Sequence, residues 1–271
     1  MLYFVATPIG NMSDMTYRAV ETLKSVDVIA CEDTRHSLKL LNFYDIKKPL
    51  IAYHKFNEKK AASEIINLLK EGKNVAVISD AGMPVISDPG NALTELLSEN
   101  EQPFTVIPGA SACLSALVLS GLNAANFTFI GFLPEKNKER KSLLKSYSAV
   151  KSTLIFYSAP HDVNKDLKDL YFSLGGRKAA AVKEITKIHE TVYRFESLEN
   201  ASIEEPKGEF VIVVEGAAKS AADEKSYNPK EKLDEYIASG MSKKDALKKV
   251  SEESGISKNA LYAFTVREKE D

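Results

Sequence analysis

The chain has 271 residues, of which 44% are hydrophobic and 27% are charged, and its formal net charge is −2. This composition excludes an intrinsically disordered chain and leaves room for two globular domains. The two cysteines and four histidines form no CxxC or HExxH pattern, which argues against a disulfide scaffold and predicts no metal site. The sequence shows no basic leader, and no stretch approaches the roughly 20 apolar residues of a membrane span. We therefore expect a cytoplasmic protein without a membrane segment.

The first half of the sequence alternates strand and helix patterns. Short apolar runs occur in LYFVAT, DVIAC, PLIAYH, NVAVI and FTVIPG, and a segment with helical spacing follows each of them. Such alternation predicts a parallel α/β sheet. The runs end in the loops TPIGN, EDTR, HKFNE, SDAGMP and PGASA. Because ligands of open α/β sheets bind outside the carboxyl ends of the strands, these loops are the first candidates for a binding site.

The pattern changes near Gly121. From NFTFIGF to KGEFVIVVEG the strand-like segments lie closer together, which predicts a second unit with a mixed sheet and fewer helices. A polar stretch then predicts a linker, and the residues beyond it have the spacing of a small helical module. The predicted organisation is an N-terminal parallel α/β domain at 1–120, a second α/β domain at 121–218, a linker at 219–229 and a helical tail at 230–271.

The loop SDAGMPVISDPG, at 79–90, is unusually stiff for a connection at the end of a strand. It follows a run typical of a strand buried on both faces. Gly82 and Gly90 let the backbone approach a ligand closely, whereas Pro84 and Pro89 restrict the backbone and remove hydrogen-bond donors. Two interpretations fit: a cradle of backbone around a ligand, or a tight strand-to-helix turn, since Gly, Pro and Asp favour turns wherever they occur.

Positive charge is concentrated in residues 131–183, which carry 11 Lys and Arg against 5 Asp and Glu. A basic segment in an otherwise acidic chain suits a partner that bears phosphate groups. The alternative is a solvated helix face, because KNKERKSLLKSY also has the spacing of an amphipathic helix. The candidate phosphate contacts are Lys136, Lys138, Arg140 and Lys141.

Seven motifs in a fixed order carry a resemblance to a known family. They are TPIGN (7–11), EDTR (32–35), SDAGMPVISDPG (79–90), PGASA (108–112), GFLP (131–134), EITKIHE (184–190) and KGEFVIVVEG (207–216). Together they resemble the tetrapyrrole methylase superfamily, and within it the branch that methylates ribosomal RNA. The resemblance implies two α/β domains with S-adenosylmethionine in the cleft between them. It also implies a homodimer that 2′-O-methylates a cytidine in the decoding region of the 16S rRNA, in the small ribosomal subunit.

The resemblance further implies a cofactor site made largely of loop backbone. Apolar walls, close backbone and few charges suit a ligand that combines a sulfonium with adenine and ribose. Carried over position by position, the cofactor residues are Pro8, Asp80, Ala81, Gly82, Met83, Pro84, Ile86, Ser111, Ala112, Phe156, Gly208 and Glu209.

Methyl transfer to a ribose hydroxyl is an in-line displacement, so alignment supplies much of the acceleration and a base removes the hydroxyl proton. Asp33 is the first candidate for this base because it follows a strand end on the cleft side of the predicted sheet. Lys183 and Glu190 are the second candidates. Structural alternatives are a helix N-cap for Asp33 or Thr34 and a surface lysine for Lys183. Further candidates, to hold the RNA, are Arg35, His54 and Asn57.

Two other functions stay open at this point. One is a methyltransferase acting on a tetrapyrrole of the precorrin type, although TPIGN and EDTR favour RNA within the superfamily. The other is a helix-turn-helix regulator whose α/β body senses a ligand, although the balanced charge of the tail weakens DNA binding. The tail is equally compatible with a module that docks on RNA or the ribosome, or that only packs. Its residues with helix-turn-helix spacing are Val250, Ser251, Gly255, Ile256, Ser257 and Leu261.

Overall fold

The computed structural model describes residues 1–218, 228–254, 256–258 and 260–262. Residues 1–217 form one compact unit that contains two sheets, and the chain from residue 218 onward forms a second unit. Most of the predicted linker, at 219–227, lies outside the described residues, as do Gly255 and residues 263–271 of the predicted tail. In the described ranges, every helix is too short or too polar to cross a membrane.

The first sheet is parallel, as the alternating pattern predicts. Its strands are β1 (Leu2–Val5), β2 (Val28–Cys31), β3 (Leu50–Ala52), β4 (Val75–Ile78) and β5 (Phe104–Ile107). The helices that alternate with them are α1 (Tyr17–Ser25), α2 (Thr34–Phe43), α3 (Glu58–Lys70), α4 (Asn91–Glu99) and α5 (Ala112–Ser120). The strand order is β3-β2-β4-β1-β5, which places β4 and the loop that follows it at the centre.

Both faces of this sheet are covered, which explains why its strands are continuous apolar runs. Side chains alternate along each strand, so Val75 and Val77 join the cluster that includes α3 and α4. Ala76 and Ile78 join the opposite cluster, which includes α1 and α2. A local sequence signal marks the start of α1: the Thr16 hydroxyl accepts a hydrogen bond from the Ala19 amide at 3.2 Å and caps the helix.

The second sheet is mixed, as its closer strand spacing predicts. Its strands are β6 (Phe127–Phe132), β7 (Thr153–Ser158), β8 (Ala179–Lys183), β9 (Thr191–Phe195) and β10 (Phe210–Val214). Their order is β6-β7-β10-β8-β9, and only the β6–β7 pair of this sheet is parallel. Helices α6 (Asn137–Ser146) and α7 (Val163–Leu174) cover one face.

Helix α5 joins the two sheets. It follows β5 of the first sheet directly, yet its side chains Cys113, Ala116 and Leu117 pack against β7, β8 and β10 of the second sheet. Ile9, from the loop after β1, joins the same cluster. The predicted boundary at residue 120 assigned this helix to the first domain, whereas its packing ties it to the second sheet. Shared packing of this kind holds the carboxyl edge of the first sheet against the second.

The C-terminal unit is helical, as predicted. It contains α8 (Pro229–Ala238) and α9 (Lys243–Ser254). The Asn228 side chain caps α8 by accepting a hydrogen bond from the Lys230 amide at 3.1 Å, and Pro229 occupies the first turn. Leu233, Val250 and Leu261 lie in a small buried cluster. The helix-turn-helix arrangement stays a prediction because its turn residue lies outside the described residues.

Candidate active site

The loop at 79–90 is bonded to the first strand-end loop, at 7–11. The Thr7 amide donates to the Gly82 carbonyl at 2.8 Å, and the Gly82 amide donates back to the Thr7 carbonyl at 3.2 Å. The buried Thr7 hydroxyl also donates to the Ser79 carbonyl at 3.2 Å. These bonds satisfy polar backbone groups that would otherwise be buried without partners, and they fix the loops after β1 and β4 relative to each other.

Several residues of the 79–90 loop have left-handed backbone conformations. Gly82 has a φ of +85°, and a Cβ atom at this position would lie 3.3 Å from Ile9 Cγ2. Val85 and Ser87 have φ values of 76° and 66°, which are strained for a β-branched residue above all. At the far end of the loop, the Gly90 amide donates to Glu58 Oε1 at 2.9 Å. Strain that surrounding contacts maintain is typical of ligand-binding segments.

A cleft of about 460 Å³ opens where this loop faces the second sheet. The first sheet supplies one wall through its strand-end loops, and the ends of β6 and β7 with the start of β10 supply the other. The residues expected to hold a cofactor that line this cleft are Asp80, Ala81, Gly82, Met83, Ile86, Ser111, Ala112 and Glu209.

Four residues expected at the cofactor site do not line the cleft. Phe156 is fully buried beneath α6 and α7, because side chains alternate along β7 and it is Tyr157 that faces the cleft. Pro8 and Pro84 are buried. Gly208 instead makes room for a neighbouring side chain, since a Cβ atom there would lie 2.5 Å from the Glu184 carboxylate.

Sequence reasoning also missed residues that line the cleft. They include Ile9, Ser87, Asp88, Phe132, Tyr157 and Phe210. Two signals were available for some of them. Ile9 and Asp88 lie inside the TPIGN and SDAGMPVISDPG motifs. For Tyr157 the signal is the alternation of side chains along a strand, which places Phe156 and Tyr157 on opposite faces.

Carboxylates at the cleft shift one another's protonation. Burial, together with the nearby charges of Glu32 and Asp80, raises the pKa of Asp88 to about 6, although a hydrogen bond with the Ser79 hydroxyl opposes the shift. Burial also raises the pKa of Glu32, with Asp80 the next cause. Perturbed carboxylates in a cleft are typical of functional sites.

The EDTR loop, which lies beside this cluster, has a structural role. Asp33 is the N-cap of α2: its Oδ1 accepts hydrogen bonds from the amides of Arg35 at 2.8 Å and His36 at 3.4 Å. The Arg35 amide is the main cause that lowers the pKa of Asp33. Asp33 does not line the cleft. The Arg35 side chain is exposed and lies 3.6 Å from Asp33 Oδ1.

The other two candidate bases lie away from the cleft lining. Lys183 ends β8, where it pairs with Phe210 across the sheet. Glu190 Oε2 accepts a hydrogen bond from the Thr186 amide at 2.7 Å, and Thr186 has a φ of 68°. Glu190 therefore stabilises the strained EITKIHE loop.

Two expected RNA contacts, His54 and Asn57, brace the loop after β3. Asn57 Nδ2 donates to the Ala52 carbonyl at 2.8 Å, and Asn57 Oδ1 accepts from the His54 amide at 2.8 Å. The Asn57 amide group is thus engaged with backbone. His54 Nδ1 is buried without a hydrogen-bond partner in the described structure, so this imidazole keeps an unused polar atom near Glu32.

The expected phosphate contacts at and before the start of α6 are of two kinds, exposed lysines and one buried arginine. Lys136, Lys138 and Lys141 are exposed. Arg140 is only 3% exposed, and its guanidinium pairs with Asp166 and, through Nε at 2.6 Å, with Asp169. This placement corrects the expectation for Arg140, because its donors are already engaged with α7. Asp166 also accepts from the cleft residue Ser158, which couples the position of α6 to the cleft wall.

Proteins similar to this chain over most of its length carry one name. A protein of Halalkalibacterium halodurans named ribosomal RNA small subunit methyltransferase I is 41% identical over 268 residues, covering 96% of this chain and 93% of its own. A protein of the same name from Haemophilus influenzae is 43% identical, with 97% and 95% covered. A third, from Thermotoga maritima, is 43% identical over 218 residues, covering 79% of this chain and 98% of its own.

Solved structures with the same fold are more distant in sequence. The methyltransferase CobJ matches with a TM-score of 0.62 at 19% identity, covering 81% of this chain and 95% of its own. The uroporphyrin-III-C-methyltransferase of Thermus thermophilus matches with a TM-score of 0.58 at 19% identity, with 79% and 93% covered. At such identities the likeness concerns the fold.

A family model covers the whole first sheet and most of the second. The model described as Tetrapyrrole (Corrin/Porphyrin) Methylases matches residues 1–200, a range that includes the 79–90 loop and the parallel strands on which the cleft is built. The ordered motifs, the two-sheet architecture and the full-length relatives agree with this match. The chain belongs to the tetrapyrrole (corrin/porphyrin) methylase family.

Proposed function

We propose that this protein transfers a methyl group from S-adenosylmethionine to a ribose 2′-hydroxyl of a cytidine in the decoding region of 16S rRNA. Two findings together support the proposal. The cleft lies at the carboxyl edge of the parallel sheet, and relatives above 40% identity have a name that states methylation of small-subunit ribosomal RNA. The corrin and porphyrin enzymes support the fold alone.

The cleft has the properties that S-adenosylmethionine needs. Its volume of about 460 Å³ lies in the usual range for small-ligand sites. Ile9, Met83 and Phe132 offer apolar contacts, while Asp80, Asp88 and Glu209 give the cleft an acidic character that suits a cationic ligand. Gly82 lines the cleft, and a side chain there would crowd Ile9, another residue of the lining, because its Cβ atom would lie 3.3 Å from Ile9 Cγ2.

When bound, S-adenosylmethionine supplies the methyl group: the bond from the ribose oxygen to the methyl carbon forms as the carbon–sulfur bond breaks, and that electron pair stays on sulfur. The protein's part is to align the hydroxyl and remove its proton. The hydrogen bonds between the loops at 7–11 and 79–90, and the strained backbone of the second loop, support such alignment, because preorganised positioning accounts for much of the acceleration in a displacement of this kind.

The RNA is expected to enter along α6. This helix begins at Asn137, five positions after the cleft residue Phe132. It presents exposed lysines at 138 and 141, and Lys136, directly before the helix, is exposed as well. Phe132 itself is 60% exposed, so an aromatic surface for base stacking lies at the cleft rim beside the basic helix. Lysine contacts to phosphate together with base stacking on an aromatic ring are the usual way to hold single-stranded RNA.

The dimer that the resemblance implies has a candidate surface on β5 and α5. Strand β5 is an edge of its sheet, and it leaves Phe104 and Val106 42% and 46% exposed. On α5, Leu114 and Val118 are 48% and 75% exposed. Exposed apolar side chains on an edge strand, and on the helix that follows it in the chain, are typical of protein interfaces. We expect Val118→Glu to convert a dimer to a monomer in light-scattering measurements; an unchanged mass would contradict this surface.

The function is tested by methylation of purified small subunits that lack the modification. Wild-type protein with methyl-labelled S-adenosylmethionine should label 16S rRNA, and mass spectrometry of nuclease fragments should locate one 2′-O-methylcytidine. Gly82→Val serves as the protein control that should give no label. Absence of label in subunits that accept the modification from one of the named relatives would contradict the proposal.

A further inference from the structure

The proposed transfer requires a proton acceptor, and the three candidates taken from the sequence are engaged elsewhere or lie off the cleft. Asp33 accepts two backbone hydrogen bonds as a helix cap. Glu190 accepts the Thr186 amide. Lys183 does not line the cleft. The acceptor is therefore to be sought among the acidic residues that do line it.

Among the described residues, three carboxylates line the cleft: Asp80, Asp88 and Glu209. Asp80 Oδ1 accepts the Asp33 amide at 3.3 Å. Glu209 Oε2 forms an ion pair with Lys187 Nζ at 2.9 Å, and the Glu209 side chain is 79% exposed. Among the residues that the structure describes, Asp88 has neither a cation nor a backbone amide as partner, and its polar neighbour is the Ser79 hydroxyl.

We propose that Asp88 is the general base that takes the proton from the ribose 2′-hydroxyl. This inference rests on the proposed function. The proton passes from the hydroxyl oxygen to an Asp88 carboxylate oxygen as the oxygen–methyl bond forms, and Asp88 then releases it to water, which restores the carboxylate. No oxidant, reductant or further reactant is needed.

The surroundings of Asp88 match this role. A general base works best when its pKa lies near the operating pH, and burial together with Glu32 and Asp80 raises the pKa of Asp88 to about 6. Asp88 is thus ionised at neutral pH yet far more basic than an ordinary aspartate. Its position in the 79–90 loop, next to the strained Ser87, fixes the carboxylate on a rigid segment.

The groups that face Asp88 come from three elements. Glu32 follows β2, Asp80 follows β4, and Tyr157 lies on β7. Burial raises the pKa of Tyr157 above its ordinary value, so the phenol stays neutral through the working range. Glu32 has its own pKa raised by burial and by Asp80, while His54 lowers it. The pH response at Asp88 is therefore coupled to Glu32 and Asp80 rather than to a cation.

Two measurements on the wild-type protein test the proposal without a variant. Carboxyl ¹³C resonances recorded on the cofactor-free protein should show Asp88 titrating near pH 6, well above the ordinary value of about 3.9. Single-turnover methylation of small subunits should rise with pH and level off above that pKa. An Asp88 resonance that titrates near pH 4, or a rate that is flat between pH 5 and 7, would overturn the proposal.

The decisive variant is Asp88→Asn. We expect its single-turnover rate to fall by roughly 10² to 10⁴, the usual effect of losing a general base, while calorimetry shows affinity for S-adenosylmethionine within a few-fold of wild type. The matched control is Asp45→Asn, at an exposed turn outside the cleft, which should leave the rate unchanged. Formate should partly restore the rate of Asp88→Ala.

The outcomes separate the two proposals. If the wild-type protein methylates 16S rRNA and the Asp88→Asn variant does so at an equal rate with intact cofactor affinity, the role of Asp88 is overturned and the proposed function stands. A wild-type protein that transfers no methyl group to competent subunits overturns the proposed function and Asp88 with it.

Discussion

Two acidic loops leave neighbouring strands of the first sheet, EDTR after β2 and SDAGMPVISDPG after β4, and the pKa values of Asp33 in the first and Asp88 in the second are shifted in opposite directions. Hydrogen bonds from the Arg35 and His36 amides lower the pKa of Asp33, whereas burial and neighbouring carboxylates raise that of Asp88 to about 6. The amides at the start of α2 favour the ionised form of Asp33. Asp88 lacks such donors and keeps the capacity to exchange a proton. The contrast shows that burial and backbone donors set the pKa of an aspartate in such a loop.

The largest effect is expected where the second loop contacts the first. Gly82→Val places a branched side chain at a φ of +85° and against Ile9, so we expect no measurable binding of S-adenosylmethionine by calorimetry. The matched control is Gly72→Val: Gly72 has nearly the same φ, +83°, but its Cβ position has no atom of the described part of the chain within 4 Å. Both variants carry a backbone penalty of about 1–2 kcal/mol, and only the first should lose binding. A folded Gly82→Val protein with wild-type affinity would refute the cradle.

Two adjacent residues of α6 show the same kind of contrast: the guanidinium of Arg140 is held in ion pairs, whereas Lys141 is exposed. Arg140→Met leaves Asp166 buried without its cation, and breaking a buried pair typically costs about 3–5 kcal/mol, which denaturant unfolding measures. Lys141→Met, one residue away and exposed, should change stability by less than about 0.5 kcal/mol. Equal effects of the two substitutions would show that Arg140 is not structural.

Free lysines should instead determine how RNA binding responds to salt. Lys138→Glu and Lys141→Glu are each expected to reduce the slope of log affinity against log salt concentration by roughly 0.7 to 0.9, the contribution of one phosphate contact. Lys59→Glu, on α3, is the control with the same charge change and no expected change in slope. If the slope stayed constant in the α6 variants, the RNA would have to bind elsewhere.

The smallest effect is expected at Asp33, and its dependence on pH has the opposite sign to that of Asp88. The folded-state pKa of Asp33 is lowered, so its contribution to stability is present above the unfolded value of 3.8 and is lost as the pH falls through the folded value. The raised pKa of Asp88 destabilises the fold as pH rises from 3.8 to about 6. Asp33→Ala should lower the thermal midpoint by a few degrees, and Asp33→Asn, which keeps a capping oxygen, by less.

Thermal scans across pH distinguish these two residues. Asp33→Asn should flatten the loss of stability on the acid side, and Asp88→Asn should remove the decline between pH 4 and 6. A fall in methylation by two orders of magnitude in Asp33→Asn would contradict its assignment as a cap and make it a candidate base again.

Periodicity and motif order predicted much of this fold. The five parallel strands follow from apolar runs that end in loops, and the mixed second sheet follows from closer strand spacing. The packing of α5 on the second sheet was not predictable, because an all-round apolar helix such as ACLSALVLS gives no sign of which sheet it covers.

The site was predicted less completely, for identifiable reasons. Family positions located the loop at 79–90, but the same transfer of positions gave Phe156, whereas the alternation of side chains along β7 places Tyr157 at the cleft. The charge of residues 131–183 marked a basic segment, yet net charge cannot reveal that Arg140 pairs with two aspartates of α7. Asp88 stood in the 79–90 loop and was passed over because burial beside Glu32 and Asp80 is a property of the fold.

A structure of the protein with S-adenosylhomocysteine, the product of the proposed transfer, would test the proposed site most directly. We predict that the ligand lies in the cleft, against the backbone of residues 80–83 and with its sulfur on the side of Asp88, and that Gly82→Val forms no such complex. A ligand bound outside the cleft, or with Asp33 rather than Asp88 beside its sulfur, would contradict this prediction.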